Sequence, residues 1–297
     1  MNKLIYLLII PIFFFLCCSP TVKTEVELKM NAENSPDTLS NKIAENKLDT
    51  LGSTIEARFK CPENFERTKV GDLSFESYLR NLPLKPHGSS VKKFNGAIKI
   101  NYNVYDAVID LPIGNKDLHQ CADAIMRLKA EYLWNQKRYS EIHFNFVSGL
   151  RADYSKWMEG KRIVYAGNNT HWTDSGTASN TDKDFWNYME CVFRYASTLS
   201  LTNEMKSVPI ESMQIGDVFI HGGAPGHAII VVDMVINPET KEKLFLLAQS
   251  YMPAQEIQLL KNPNNEGLSP WYSLSFSGDL YTPEWTFSQD ELKRFVD

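Results

Sequence analysis

Residues 216–234 read GDVFIHGGAPGHAIIVVDM, and the fold turns on how that stretch divides. A short apolar run, Val218 to Ile220, ends at a glycine-rich bend, and a longer apolar run opens at His227. Apolar runs of this length bounded by Gly and Pro predict two strands joined by the bend. KEKLFLLAQ (241–249) predicts a third, which turns irregular at Pro253. Asn237-Pro238-Glu239 lies between the second and third runs, so a hairpin centred on Pro238 is expected. His227 and Gln249 are each eleven positions from that centre and become cross-strand neighbours. A turn displaced by a residue or two would substitute Ser250 or Tyr251.

Upstream, VKKFNGAIKINYNVYDAVIDLPIG (91–114) carries Asn95-Gly96 between apolar-rich flanks, a hairpin signal. In KDLHQCADAIMRLKAEYLWNQ (116–136), Ala124, Ile125, Leu128 and Tyr132 recur at helical spacing, with Asp117 and Gln120 fitting a cap at its start. EIHFNFV (141–147) alternates as a strand does: Ile142, Phe144 and Phe146 on one face, Glu141, His143 and Asn145 on the other. After a polar loop, KDFWNYMECVFRYASTLSL (183–201) predicts a second helix. Helices precede a strand meander, so the fold class is α+β, a mostly antiparallel sheet packed on helices.

The N-terminus sets the compartment. MNKLIYLLIIPIFFFLCCSP (1–20) has one Lys, an apolar run from Leu4 to Leu16 and then two cysteines. That run is short for a membrane span and has the layout of a secretory signal. A Cys directly after it resembles a bacterial lipobox, with Cys18 as the lipid attachment because the small Cys17 precedes it. The expectation is a signal peptide over 1–18, a polar tether over 19–53 and one α+β domain over 54–297. The protein is then exported and anchored in the bacterial cell envelope, with the membrane as a partner through its lipid.

The chain has 297 residues, 43% of them hydrophobic and 12% aromatic, enough for a large core. Its net charge of -5 and lack of a basic cluster give no reason to expect nucleic acid as a partner. No metal-type Cys/His spacing occurs, and the GGAPG bend lacks the Lys-Ser/Thr ending of a phosphate loop, so neither metal nor cofactor is expected. With Cys18 acylated, the thiols of Cys61, Cys121 and Cys191 remain, an odd number that implies no disulfide framework.

Two readings of His227 stand side by side: a bend residue bonded to a neighbour, or a general base held by a polar third group, Gln249. Cys121 is likewise either a small core residue on the stripe of Ala124, Ile125 and Leu128, or a nucleophile in the first helical turns, where partial positive charge favours a thiolate. Gln120 before it would donate to an oxyanion. Cys191 sits in mid-helix, and nothing near Cys61 activates it. Trp271 and Trp285 follow prolines in loop-like sequence and either cap the core or grip a peptide or glycan. Asp123, Arg127 and Glu131 form a solvated ladder, or a buried network if they face His143 and Asn145.

GDVFI, then GH opening an apolar strand, then a strand ending in a polar residue, resembles the sheet of NlpC-type, papain-like cysteine peptidases over residues 184–250. That resemblance implies a base at His227, an orienting residue at Gln249 and a peptide bond of the bacterial cell wall as substrate. It places Asp184-Phe185-Trp186 where that family has its nucleophile motif, with Phe185 in place of the Cys. Either Cys121 supplies the sulfur from an earlier helix, or the scaffold binds cell-wall peptide or glycan without cutting it. A longer resemblance covers nearly all of the chain after residue 55. It is carried by SYLRNLPLKPHGS, KDLHQCADAIMRLKAEYLW, GDVFIHGGAPGHAIIVVDM, LLAQSYMPAQEIQ, LSPWY and TPEWTF. Through these blocks the chain resembles a family of exported bacterial proteins described as domain of unknown function 4846, a likeness that implies no particular reaction.

Overall fold

The computed structural model describes residues 48–296; Cys18, the apolar leader and the tether up to residue 47 lie outside the described residues. The helices are α1 (Ile55–Arg58), α2 (Phe75–Arg80), α3 (Cys121–Asn135), α4 (Tyr154–Met158), α5 (Asp182–Tyr195) and α6 (Thr198–Glu204). Nine strands make the main sheet. They are β1 (Glu66–Arg67), β2 (Tyr105–Val108), β3 (Lys206–Ser207), β4 (Val218–His221), β5 (His227–Ile236), β6 (Lys243–Gln249), β7 (Gln258–Leu260), β8 (Tyr272–Ser273) and β9 (Leu292–Arg294). Their order is β2-β7-β6-β5-β4-β9-β3, with β1 beside β5 and β8 beside β6. Every pairing is antiparallel, so the fold is α+β with an antiparallel sheet.

β5 is the centre. Nine of its ten residues are buried, which is why HAIIVVDMVI shows no polar alternation. Helices α2 and α3 pack on it. The ribbon of Leu280–Tyr281 and Thr286–Phe287 closes on its start, where the Phe287 ring lies 6.0 Å from that of His227 and 5.9 Å from that of Phe219. One apolar core runs from Ile55 to Leu292, and Val91, Val104, Tyr105 and Val108 form a smaller one.

The turn between β5 and β6 falls later than Pro238. Asn237 donates its N–H to the Glu242 carbonyl at 2.8 Å, and Ile236 pairs with Lys243. A register shift between Leu246 and Leu247 then leaves Ala248 opposite Ile230. Continued by one residue, that register sets Gln249 against Ile229, so Gln249 meets His227 diagonally on a shared face rather than directly across. Asn95-Gly96 does form a tight turn: Lys93 N–H donates to Ala97 O at 2.8 Å, and Gly96 takes a φ of +83°.

Other boundaries shift for local reasons. Asp117 does not cap α3; its Oδ1 accepts from the Ala254 N–H at 2.7 Å and from Gln120 Nε2 at 3.2 Å. Gln120 is the N-cap, and its N–H donates to Asp123 Oδ2 at 2.9 Å, so Cys121 is the first helical residue. The predicted helix over 183–201 breaks after Tyr195, because the Ser197 hydroxyl accepts from the Leu199 N–H and caps a new helix, α6. In EIHFNFV the alternation holds: Ile142, Phe144 and Phe146 are buried, and His143–Asn145 pairs with Arg151–Asp153 in a ribbon of its own.

Two carboxyls, one buried and one partly buried, matter to stability. Asp233, fully buried in β5, accepts from Arg67 Nε at 2.9 Å and from Arg80 Nε at 2.7 Å. Glu204, at the end of α6, accepts from the Asn145 N–H at 2.6 Å beside a cavity of about 290 Å³ that Lys129, His143 and Phe295 help to line. Burial pushes the Glu204 carboxyl from 4.5 up to about 7, against the pull of the Asn145 N–H and Arg151. A carboxyl raised on folding stabilises the protein fully below its unfolded pKa and loses that contribution as pH climbs through the folded one. Urea midpoints of the wild type should therefore fall between pH 4.5 and about 7, and Glu204→Gln should flatten that decline. An unchanged slope would mean Glu204 titrates as it does in the unfolded chain.

Candidate active site

The glycine bend sits where it does because of α6. The Thr198 hydroxyl lies 3.3 Å from both the N–H and the carbonyl oxygen of Gly223. A Cβ added at Gly226 would fall 2.3 Å from that same hydroxyl, so only glycine lets the chain pass. The bend thereby delivers His227 to the first position of β5, opposite His221 at the end of β4.

His227 is 2% exposed. Its ring is enclosed by Tyr251 (5.0 Å between centroids), Trp285 (5.3 Å) and Phe287. Its Nε2 lies 2.8 Å from Gln249 Oε1, and Gln249 Nε2 lies 2.6 Å from Glu284 Oε2. Lys99 Nζ reaches the same Glu284 oxygen at 2.5 Å. The chemistry of these groups fixes the protons. A carboxylate only accepts, so the Gln249 amide must turn its NH₂ to Glu284 and its oxygen to the ring. The imidazole must then carry its proton on Nε2, which leaves the lone pair on Nδ1. Burial, reinforced by Lys99 and opposed by the Gln249 bond, pushes the ring down to about 4, so His227 is neutral at pH 7.

Cys121 begins the fifteen-residue α3 and is 8% exposed. The backbone N–H groups of Ala228, Ala122 and Cys121 itself interact with its sulfur and favour a thiolate, as does the helix N-terminus. Burial opposes them, with help from Asp123, and wins: the thiol is pushed up to about 11. A thiol and a neutral imidazole are therefore the resting forms. The sulfur lies near the backbone amide of the residue after His227, and Tyr251, whose ring touches His227, is pushed up by burial, then by Glu284 and Cys121. Thiol, imidazole and Gln249 thus converge at one end of β5 and β6. Cys191 is also pushed up to about 11 by burial, and the Cys61 thiol is raised by burial too.

The other residues singled out from the sequence are placed as follows. Gln120 precedes the sulfur, but its side-chain amide is tied to Asp117. Trp285 is half-buried against His227 and is also 6.1 Å from the ring of His221. Trp271 corrects its expectation as a ligand-gripping aromatic: it is 0% exposed and donates Nε1–H to the Lys60 carbonyl, a core residue. Phe185, expected where NlpC-type enzymes have their sulfur, does not adjoin His227. It packs in α5 against Trp134 (5.2 Å) and Tyr154 (5.4 Å). The helix that brings a thiol to β5 is α3. The Asp123–Arg127–Glu131 face is buried but does not meet His143. Arg127 donates to Glu131 and to the Pro112 carbonyl at 2.7 Å each and lies over Trp186.

Sequence reasoning missed Lys99 and Glu284, and named Tyr251 only as a substitute for Gln249. Glu284 sits inside TPEWTF, a block noted for its Trp, and Lys99 is the charged member of an otherwise apolar alternation, Ile98-Lys99-Ile100. An isolated Lys on such a strand and a Glu in an aromatic turn are the signals that could have been paired.

The chain matches the family described as Domain of unknown function (4846) over residues 55–294. No curated protein and no solved structure matches it.

Proposed function

The chain belongs to the family described as Domain of unknown function (4846), and we propose that this member is an exported, thiol-dependent hydrolase of peptide amide bonds. Cys121 is the nucleophile, His227 the base and Gln249 the residue that holds the base in one tautomer. The observation that carries the reading is a sulfur at a helix N-terminus, on the helix that packs on β5, near the backbone amide that follows an imidazole whose Nδ1 is left unprotonated. Sγ attacks the carbonyl carbon while its proton passes to Nδ1; Nδ1 then protonates the departing amine, leaving a thioester. Water attacks that thioester, gives its proton to Nδ1 and releases the acid and the thiol. With the thiol at about 11 and the ring at about 4, the ions form only as the carbonyl accepts the electron pair. The N–H groups of Cys121 and Ala122 at the start of α3, with Gln120 beside them, are the donors for the oxyanion.

The likeness to NlpC-type peptidases makes cell-wall peptide the first substrate to try. Incubation with a wall digest should release new amino termini seen by mass spectrometry; none from the wild-type protein, at any pH from 5 to 9, would remove the reading.

A second reading rests on the burial and raised pKa of that same thiol. The protein then binds cell-wall peptide or glycan without cutting it, and wall pull-down survives Cys121→Ala but fails with Trp285→Ala. For the anchor at Cys18, an inhibitor of lipoprotein signal peptidase should leave a larger precursor that keeps residues 1–17. A band of unchanged size would remove lipid attachment from the proposal.

A further inference from the structure

Some of the large apolar side chains exposed among the described residues lie close in sequence to groups of the candidate site. Five of twelve, Ile98, Ile100, Tyr102, Met252 and Tyr281, lie in the segments that supply Lys99, Tyr251 and Glu284. Residues 98–102 show why. Lys99 turns inward to Glu284, and Asn101 Nδ2 lies 3.5 Å from the same carboxylate. Ile98, Ile100 and Tyr102 are left facing water, Ile100 with 86% of its surface exposed. Three outward apolar side chains at period two, fastened from beneath to the group that holds Gln249, form a ridge beside the imidazole rather than a stray loop.

The main chain of that ridge is open on one side. Lys93 N–H donates to Ala97 O and Lys99 N–H to Val91 O, the pattern of a bridge between Lys92 and Ile98. In an antiparallel pair that geometry turns the N–H and C=O of Ile98 away from residues 91–93. The N–H groups of Ile98 and Ile100 donate to no backbone oxygen among the described residues. An unpaired edge is a template for another extended chain.

We propose that segment 98–102 is the substrate-recognition edge of this site, and that its occupant is an extended peptide with neutral, apolar side chains next to the bond to be cut. The proposal rests on the reading of Cys121 as nucleophile and narrows its substrate. Ile98, Ile100 and Tyr102 gain by covering apolar side chains, whereas a carboxylate laid on them would lose water with no partner in return. Lys99 is not that partner, since Glu284 already neutralises it. Lys92, exposed opposite Ile98, and Lys93, near Lys99, are cations at the margin of the ridge, which makes an acidic peptide the informative competitor.

The test uses the purified full chain and two peptidyl vinyl sulfones, one with leucines beside the electrophile and one with glutamates, with iodoacetamide as a small control. Modification of Cys121 is followed by mass spectrometry. The leucine probe should react at least about tenfold faster than the glutamate probe. Ile100→Glu should remove most of that advantage and leave the iodoacetamide rate unchanged, while Val147→Glu, far along the chain at another exposed apolar position, should alter neither. Equal rates for the two probes, or indifference to Ile100→Glu, would overturn the proposal. Binding of a fluorescent, unreactive leucine peptide separates the two layers of the argument. If Cys121 resists both sulfones yet the peptide binds in an Ile100-dependent way, the catalytic reading fails and the docking edge stands. If neither labelling nor binding occurs, both fail.

Discussion

Replacing Cys121 by alanine should abolish amide cleavage, lowering the rate by at least about a thousandfold, with the fold intact. The chemistry has no substitute for the sulfur. Cys191 lies in mid-helix in α5 and Cys61 beside Arg67 on another edge, and neither is next to His227. Alanine removes only one small atom from a site that is 8% exposed, so the stability cost should stay near about 1 kcal/mol. His227→Ala should lower turnover comparably, because the thiol held near 11 contributes almost no thiolate at neutral pH without a base. Circular dichroism and a urea midpoint would establish folding, and turnover would be read on the peptides released from the wall. Wild-type turnover by Cys121→Ala would end the nucleophile assignment. Retained wall binding without any turnover in wild type or variant would leave the binding reading.

The second large effect concerns stability. Arg80→Ala should destabilise the protein by about 3–5 kcal/mol, because it strips one of two guanidinium groups from a carboxylate with no solvent contact. Arg80 Nε donates to Asp233 at 2.7 Å, and its Nη1 donates to the Thr68 carbonyl at 3.1 Å. The loss should depend on pH in a definite direction. Burial already holds Asp233 above the usual carboxyl range, outweighing Arg67 and Arg80, so ionisation costs the folded state as pH rises. Without Arg80 that cost grows. The gap between wild type and variant should therefore be wider at pH 7 than at pH 4, and a gap independent of pH would show that packing, not charge, is lost.

The three central strands and the separate ribbon at 143–145 were legible because their evidence is local. Apolar runs bounded by Gly and Pro mark β4, β5 and β6, and alternation marks Ile142, Phe144 and Phe146. What was illegible depends on neighbours distant in sequence. The helix break at Ser197 is a contest between continuing a helix and capping a new one, decided by the packing of α6 under the bend. The β5–β6 register depends on a shift at Leu246 that no pattern of apolar residues announces. Counting from Pro238 nevertheless named the right partner, because a slip of two positions keeps Gln249 on the face of His227. Glu284 and Lys99 lie 185 positions apart; each is an odd charge among apolar residues, but only the tertiary fold pairs them. Trp271 and Trp285 both follow loop prolines, yet one is walled into the core and the other lies against an imidazole; only the tertiary fold separates them.

The strand order has a consequence for how the protein is made. β9, near the end of the chain, lies between β4 and β3, and Arg294 closes on Asp217 through two charged hydrogen bonds of 2.6 and 2.8 Å. Until those residues leave the ribosome, the strand that leads into the glycine bend keeps a bare flank, so this part of the sheet closes only once residues 292–294 have been made. A protease nick just before Leu292 would reopen that flank and expose it to a neighbouring copy.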